Sequence, residues 1–361
     1  MALKVHDGFD HYGTATDFLS RSGFLQWQFP NASTPASFAF VSGLTNYGKA
    51  LQYGSHQNIG EASQVVRAVW ANRDVAATIG IRTKALPGFS FSYQFVDTVG
   101  GAPQLTLIFS AGNYSIAVYR GSSSGTLLAM SPNNVWTGNE PNFIEMQYTI
   151  GSSGAIEVRN NGIVVQNLSI SGNTQATANA WSDAWDLLPF TGGIGVTPTI
   201  VLDDLYYTDT TTGPGLAPLD GYVGDSTTRT LFATGNDSVA WVPAALTNWQ
   251  EISEIIFDGD GSYNFSSTPG DQDTFTFEPL TGVITTVYCV TITYAPRKND
   301  GSPHSTKSVV KIGGTSYFGS TQAVGTGYYF LTDQFVLDPD TGLNWVLSDV
   351  NGAAYGYNLV T

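Results

Sequence analysis

The stretch Phe89-Ser90-Phe91-Ser92-Tyr93-Gln94-Phe95 places an aromatic residue at every second position, with polar residues between them. Because successive side chains of a β-strand point to opposite faces, this alternation predicts a strand with one face on a core and the other in solvent. Similar runs extend over Leu105–Phe109, Tyr114–Tyr119 and Phe143–Ile150, and turn residues separate them. The spacing favours a sandwich or jelly roll over alternating strands and helices.

A β-hairpin is predicted at residues 155–165. Ala155–Arg159 and Ile163–Val165 are strand-like, and Asn160-Asn161-Gly162 joins them. Asn-Gly favours a tight turn because both residues tolerate the positive φ values that it needs.

The chain has 361 residues, enough for two sizeable cores. Further strand-like runs at 194–196 and Ile200–Tyr207 complete the first half. The stretch 210–218 is rich in Thr, Gly and Pro, which is typical of a linker. We therefore predict a jelly roll at 1–210, a linker at 211–220 and a smaller β-sandwich at 221–361. Strands of that second domain are expected at 239–242, 252–257, 274–277, 287–293, 308–312, 328–331, 344–346 and 355–360.

The composition supports an all-β protein and limits its partners. Aromatic residues make up 13% of the chain, there are 40 glycines, and only 12% of residues are charged, which suits pleated strands joined by tight turns. The formal charge of -15 would repel phosphate backbones, so we expect neither nucleic acid nor an anionic membrane as a partner. The N-terminus lacks a signal-like apolar core, and no run of about 18 apolar residues occurs. The single cysteine, Cys289, lies in an apolar run and is expected to be a buried, inert thiol.

The spaced carboxylates in Asp258–Ser262 are compatible with a calcium site, because such groups on a Gly-rich turn can converge on a hard cation. An EF-hand loop would require Gly and Glu where this chain has Tyr263 and Pro269. A solvated turn is therefore the favoured interpretation. Asp258 and Asp260 remain candidate Ca²⁺ ligands, and we expect no other cofactor.

Asp203 and Asp204 lie side by side in a strand-like run. One carboxylate must point to the core if the other faces water, and a buried carboxylate needs partners such as the backbone amides of a neighbouring loop. A structural role is therefore expected for both. A glycosidase-type acid pair is the alternative, but the sequence brings no second carboxylate to the required separation.

No catalytic motif is recognisable. The four histidines, His6, His11, His56 and His304, show no metal-ligand spacing, and there is no G-x-S-x-G nucleophile motif, Walker motif or dinucleotide fingerprint. We therefore predict that the protein is not an enzyme.

Candidate glycan-binding residues are Trp181, Trp185 and Asp183. Aromatic rings beside carboxylates stack on sugar faces, although most aromatic residues of a sandwich belong to its core. Polar neighbours in this segment favour exposure of the two tryptophans.

Three stretches together resemble the laminin-G/concanavalin-A-like jelly rolls of tailed-bacteriophage virion proteins: Asp7–Tyr12, Ile156–Val165 and Ile200–Tyr207. The resemblance covers residues 1 to about 210 and implies that the aspartate-bearing final strand returns beside the N-terminal segment. The second half, with 221–225, 249–252, 258–263 and 338–345, is similar to the C-terminal ends of those proteins. No binding residue is carried over from the family.

The resemblance implies a non-enzymatic structural protein on the surface of a tailed-bacteriophage virion, as a tail fibre, tail-tip or head-decoration component. Its expected partners are other virion proteins, further copies of itself, for example in a trimer, and a host cell-surface glycan, with assembly in the host cytoplasm. The alternative is a carbohydrate-active, glycosidase-like enzyme on a jelly-roll fold. A secreted glycan-binding module is a third hypothesis, which should carry an export signal.

Overall fold

A computed structural model describes residues 2–20, 25–30, 38–45, 47–54, 65–86, 88–190, 199–209, 221–254 and 257–361. The chain divides into two compact units. Unit 1 comprises Met1–Asp10, Thr14–Leu19 and Phe24–Thr228, and unit 2 comprises His11–Gly13, Ser20–Gly23 and Arg229–Thr361. The predicted linker at 211–220, the predicted strand at 194–196 and His56 lie outside the described residues.

Unit 1 contains two antiparallel sheets. Sheet A has the order β13-β12-β11-β6-β15-β4-β3, and β1 also pairs with β15. Its strands are β1 (Ala2–Asp7), β3 (Ala39–Ser42), β4 (Lys49–Gly54), β6 (Ala76–Ala85), β11 (Asn142–Thr149), β12 (Gly154–Asn160), β13 (Ile163–Gly172) and β15 (Thr199–Asp209). Sheet B has the order β10-β9-β8-β7-β14-β5-β2. Its strands are β2 (Leu25–Gln28), β5 (Val66–Asp74), β7 (Ser90–Asp97), β8 (Ala102–Ser110), β9 (Ser115–Arg120), β10 (Thr126–Met130) and β14 (Ser182–Phe190). A short helix, α1 (Ala15–Leu19), precedes β2.

The core of unit 1 lies between the two sheets. Phe91, Tyr93 and Phe95 are buried, as the alternation at 89–95 predicts. The opposite face is not open to solvent as expected, because Ser92 is buried and Gln94 is half-buried. Phe95 of sheet B packs against Tyr148 of sheet A, with ring centroids 4.3 Å apart. The Tyr148 hydroxyl also lies 2.8 Å from the Ser182 hydroxyl of sheet B. Aromatic packing and buried hydrogen bonds therefore join the layers.

Two local predictions for unit 1 are confirmed. Asn161 and Gly162 have φ values of 51° and 77°, and they connect β12 to β13 as a hairpin. Strand β1 pairs antiparallel with β15, from Ala2 opposite Asp209 to Asp7 opposite Leu205. The final strand therefore lies beside the N-terminal segment, as the resemblance implies.

Unit 2 has a six-stranded sheet of β16 (Ala233–Ser238), β19 (Gln272–Phe277), β25 (Ala354–Leu359), β21 (His304–Ile312), β22 (Thr315–Phe318) and β23 (Gln322–Val324). Two ribbons accompany it, β17 (Val242–Pro243) with β18 (Asn264–Phe265), and β20 (Val290–Tyr294) with β24 (Leu331–Phe335). A helix, α2 (Leu347–Gly352), precedes β25. Ile292 and Phe335 of the second ribbon pack on a buried cluster that includes Val310 and Tyr355 of the sheet.

The fold is all-β, with an N-terminal jelly-roll sandwich followed by a smaller β-sandwich, as predicted. None of the helices in the described ranges is long and apolar enough to cross a membrane.

Two strand predictions in unit 2, at 252–257 and 344–346, are wrong. Two more, at 239–242 and 328–331, overlap a ladder strand only at Val242 and Leu331. Ile252, predicted to begin a strand, ends a 3-10 turn that starts at Gln250. The buried Glu251 carboxylate accepts hydrogen bonds from the backbone N–H groups of Ala245, Leu246 and Tyr263, which fixes this turn. The predicted strand at 344–346 is instead a loop before α2, where Trp345 is buried in the core.

Candidate functional site

One residue from each strand of sheet B lies in a single row, which we call the cross-sheet row. Strand pairing places its members directly opposite one another in the order Gln28, Arg67, Asp186, Gln94, Thr106, Tyr119 and Leu127. Neighbouring strands lie about 4.8 Å apart, so six spacings give the row a length of about 29 Å.

The row lies on the outer face of the sheet. The residues that alternate with it, such as Ala68, Trp185 and Phe95, are buried in the core without exposed surface. Side chains of successive strand residues point to opposite faces, so Arg67, Asp186 and Gln94 point away from the core. Six of the seven members are polar, whereas the buried face is apolar and aromatic.

An ion pair lies within the row. Arg67 Nε and Nη2 donate to the two carboxylate oxygens of Asp186 over 2.6 and 2.7 Å. The Asp186 side chain is 6% exposed and that of Arg67 is 22% exposed. Burial raises the pKa of Asp186, although the hydrogen bonds and positive charge of Arg67 act to lower it. The hydrogen bond to Asp186 in turn raises the pKa of Arg67. Two parallel bonds hold the guanidinium in one orientation.

The other polar members differ in accessibility. Thr106 is buried and donates to the Gly121 carbonyl over 2.6 Å. Gln94 and Tyr119 are half-buried, and Gln28 is exposed. Within the described ranges, no side-chain hydrogen bond is found for the Gln94 amide or the Tyr119 hydroxyl.

The three sequence-predicted glycan residues do not form one surface. Trp185 has no exposed surface and packs in the core, with its ring centroid 4.8 Å from that of Tyr93. Trp181 is half-buried, and the Arg73 guanidinium lies 4.6 Å from its ring centroid. Asp183 is 8% exposed, and its carboxylate accepts two hydrogen bonds from Thr98. Of the two tryptophans, only Trp181 is therefore partly exposed.

Asp203 and Asp204 are both buried, at 2% exposure each. Asp203 accepts hydrogen bonds from the backbone N–H of Leu44 at 2.8 Å and of Asp204 at 2.9 Å. Asp204 has a φ of 52°, and the pairing of β15 with β6 is irregular at this position. The Asp204 carboxylate accepts hydrogen bonds from Arg82 Nε at 2.8 Å and from the Thr228 N–H at 2.7 Å. Burial raises the pKa of both carboxyls. Their partners lie on strands and loops, and the structural role of the two carboxylates stays a prediction.

Asp258 and Asp260 have separate partners. Asp258 accepts hydrogen bonds from the backbone and hydroxyl of Ser262. Asp260 forms an ion pair with Arg297 at 2.7 Å and accepts a hydrogen bond from the Tyr328 hydroxyl at 2.8 Å. Across the described ranges, no group of three or more His, Cys, Asp or Glu residues is placed to hold a metal ion.

No family model and no curated protein matches the sequence. By structure, the chain is similar to an endo-β-1,4-glucuronan lyase from the fungus Trichoderma reesei, with 13% identity over 58% of this chain and 96% of the lyase and a TM-score of 0.38. It is similar to the alginate lyase Aly36B, with 12% identity over 50% of this chain and 100% of the lyase and a TM-score of 0.34. It is also similar to the carbohydrate-binding module CBM66 from Bacillus subtilis, with 8% identity over 51% of this chain and 95% of the module and a TM-score of 0.32.

These comparisons correct one prediction. The expectation that the protein is not an enzyme, which rested on missing motifs, is contradicted because structurally similar proteins include two polysaccharide lyases. The structural neighbours include polysaccharide lyases and a carbohydrate-binding module, and the comparisons give no support to the bacteriophage assignment.

Sequence reasoning missed the cross-sheet row. The alternation at 89–95 does place Gln94 on the outer face, and this was the available signal. Arg67 and Asp186, however, are 119 residues apart in sequence, and only strand pairing brings them together.

Proposed function

We propose that unit 1 binds a carbohydrate chain along the cross-sheet row. The observation that carries this proposal is the in-register line of polar side chains, one from each strand except β10, on the outer face of sheet B. An extended polymer with a repeating pattern of hydroxyl groups is the ligand whose shape matches a straight row of this length.

The chemistry of the row supports a sugar ligand. Side-chain amides such as those of Gln28 and Gln94 both donate and accept hydrogen bonds, as sugar hydroxyls do. The half-buried Tyr119 ring and the 50% exposed Leu127 extend the row at its far end with apolar surface. Binding sites that combine apolar surface with a few convergent polar groups fix both affinity and orientation.

Full-length protein titrated with oligosaccharides of increasing length tests the proposal. Gln94→Ala and Tyr119→Ala are each expected to weaken binding about fivefold or more, because each removes a hydrogen-bonding group. Gln26→Ala is the matched control, since Gln26 is exposed on the same face of β2 but lies one row away. Unchanged affinity in both row variants, with loss of affinity in Trp181→Ala, would assign the sugar to Trp181 and overturn the proposal.

A second candidate function is cleavage of the bound glycan, the enzymatic alternative that the sequence left open. This second function is favoured because the row contains an acidic group, a basic group and a phenol. They are Asp186, Arg67 and Tyr119. Chromatography of the oligosaccharide after prolonged incubation decides between binding and cleavage. Shorter products that disappear in Tyr119→Phe would support an enzyme.

We further propose that this glycan-binding chain is displayed on a tailed-bacteriophage particle. The support is the sequence resemblance of Asp7–Tyr12, Ile200–Tyr207 and 221–225 to virion proteins, together with the pairing of β1 and β15. Mass spectrometry of purified particles should detect the chain in stoichiometric amounts, and its absence would end this part of the proposal.

A further inference from the structure

We infer that the cross-sheet row selects an uncharged glycan over an acidic one. Asp186 sets this selectivity because its carboxylate already binds the Arg67 guanidinium. The inference rests on the proposed glycan-binding function and names its ligand class. An acidic glycan here means one that carries carboxylates, such as a polyuronate.

The row has no net charge. Strands β2, β8 and β10 contain no charged residue at all. Arg67 is the one cation of the row and Asp186 is its one anion. The other charged residues of sheet B belong to other registers, and they are Arg73, Asp74, Asp97, Arg120 and Asp183.

Asp186 already occupies the position that a ligand carboxylate would take. The planar guanidinium offers its Nε and Nη2 groups as a fork, which matches the two oxygens of a carboxylate. Both groups donate to Asp186, at 2.6 and 2.7 Å. A uronate could therefore reach this fork only by displacing Asp186.

Displacement of Asp186 is unfavourable because its side chain is almost fully buried. A buried carboxylate that loses its cation keeps the desolvation penalty without the compensating ion pair. The chain as a whole carries a formal charge of -15, which opposes the approach of a polyanion. Neutral sugar hydroxyls avoid both penalties and can use the amides and the Tyr119 hydroxyl of the row.

The experiment compares neutral oligosaccharides with uronates of the same length and linkage, for example gluco- against glucurono-oligosaccharides, and galacto- against galacturono-oligosaccharides. Wild-type protein should bind a neutral member at least about tenfold more tightly than its uronate, a difference of about 1.4 kcal/mol. Tighter binding of the uronate by the wild type would overturn the inference while leaving the glycan-binding function in place. Absence of binding to every oligosaccharide would instead remove the proposed function.

Asp186→Asn should gain affinity for uronates by about tenfold, because it frees part of the guanidinium fork for a charged hydrogen bond. Asp183→Asn is the matched control, since it removes the same charge from the same strand but leaves the two Arg67–Asp186 hydrogen bonds in place. Equal gains in the two variants would mean that net charge alone acts, and would overturn the role of Asp186. Circular dichroism of each variant establishes that it is folded, and the wild-type comparison tests the selectivity even if Asp186→Asn does not fold.

Discussion

Single residues decide how side chains pack across neighbouring strands of sheet A. Gly80 of β6 lies under the ring of Tyr206, and a Cβ built on Gly80 would be 2.0 Å from Tyr206 Cε1. The Tyr206 hydroxyl donates to the Glu145 carboxylate at 2.5 Å and accepts a hydrogen bond from the Val223 N–H. Glycine is therefore required here by space and not by backbone conformation.

We expect Gly80→Ala to destabilise the protein by about 1–3 kcal/mol, because the added methyl group must displace the buried Tyr206 ring. Gly112→Ala is the control, since a Cβ there meets only Ser110 Oγ, at 3.9 Å. The shift of the urea unfolding midpoint measures both. Equal midpoints for the two variants would contradict the packing argument.

The adjacent carboxyls Asp203 and Asp204 predict a pH dependence of stability. Burial raises the pKa of both in the folded protein. A carboxyl with a folded pKa above its unfolded value of about 3.9 binds its proton more tightly in the native state. Its contribution to stability is complete below the unfolded pKa and is lost as the pH rises through the folded pKa.

The urea midpoint of the wild type should therefore fall more between about pH 5 and about pH 8 than that of Asp203→Asn, which cannot ionise at this position. Thr199→Val on the same strand serves as a control without a titratable group. A wild-type slope no steeper than that of Asp203→Asn would show that this carboxyl does not titrate in the range.

At the scale of elements, residues 221–228 form a segment that packs on sheet A. The Gly224 N–H donates to the Glu145 carboxylate at 2.7 Å, and Arg82 Nη2 donates to Asp225 at 2.6 Å. The Tyr222 ring lies under the guanidinium of Arg159, which is 3.6 Å from its centroid. Polar and cation–π contacts, more than apolar burial, therefore hold this segment.

Tyr222→Ala should make residues 221–228 more susceptible to limited proteolysis, because it removes the Arg159 contact and the hydrogen bond to the Glu157 carbonyl. Tyr329→Ala, at a tyrosine of unit 2 that is 49% exposed, is the control. Mass spectrometry of the fragments identifies the cleavage sites. Unaltered cleavage between residues 221 and 228 would show that Tyr222 does not anchor the segment.

On the scale of the whole molecule, the formal charge of -15 predicts how salt affects ligand binding. The Debye length is about 10 Å at 0.1 M salt and about 3 Å at 1 M, so added salt screens the repulsion of an anionic ligand. Neutral oligosaccharides should bind equally at the two concentrations, while weak uronate binding should strengthen with salt. Calorimetric titrations at both salt concentrations measure the affinity for each oligosaccharide. A uronate affinity that falls as salt is added would show that the site attracts anions.

Local patterns predicted the parts of the fold that depend on neighbouring residues. The buried aromatic face at 89–95 and the Asn161-Gly162 turn both occur as expected, because side-chain alternation and turn chemistry act over a few residues. The Ile252 prediction failed because the Glu251 carboxylate accepts hydrogen bonds from the backbone N–H groups of residues 245, 246 and 263, which override a local β preference.

The sequence by itself determined the all-β class, the hairpin, the acidic charge and the return of the final strand implied by the family resemblance. Only the tertiary structure decided that Trp185 belongs to the core and that Arg67 is held by Asp186. Only the tertiary structure, too, places one residue from each of the seven strands of sheet B in a single row. The physical reason is that pairing register is set by contacts between strands far apart in the chain, and a shift of one residue would turn the whole row to the opposite face.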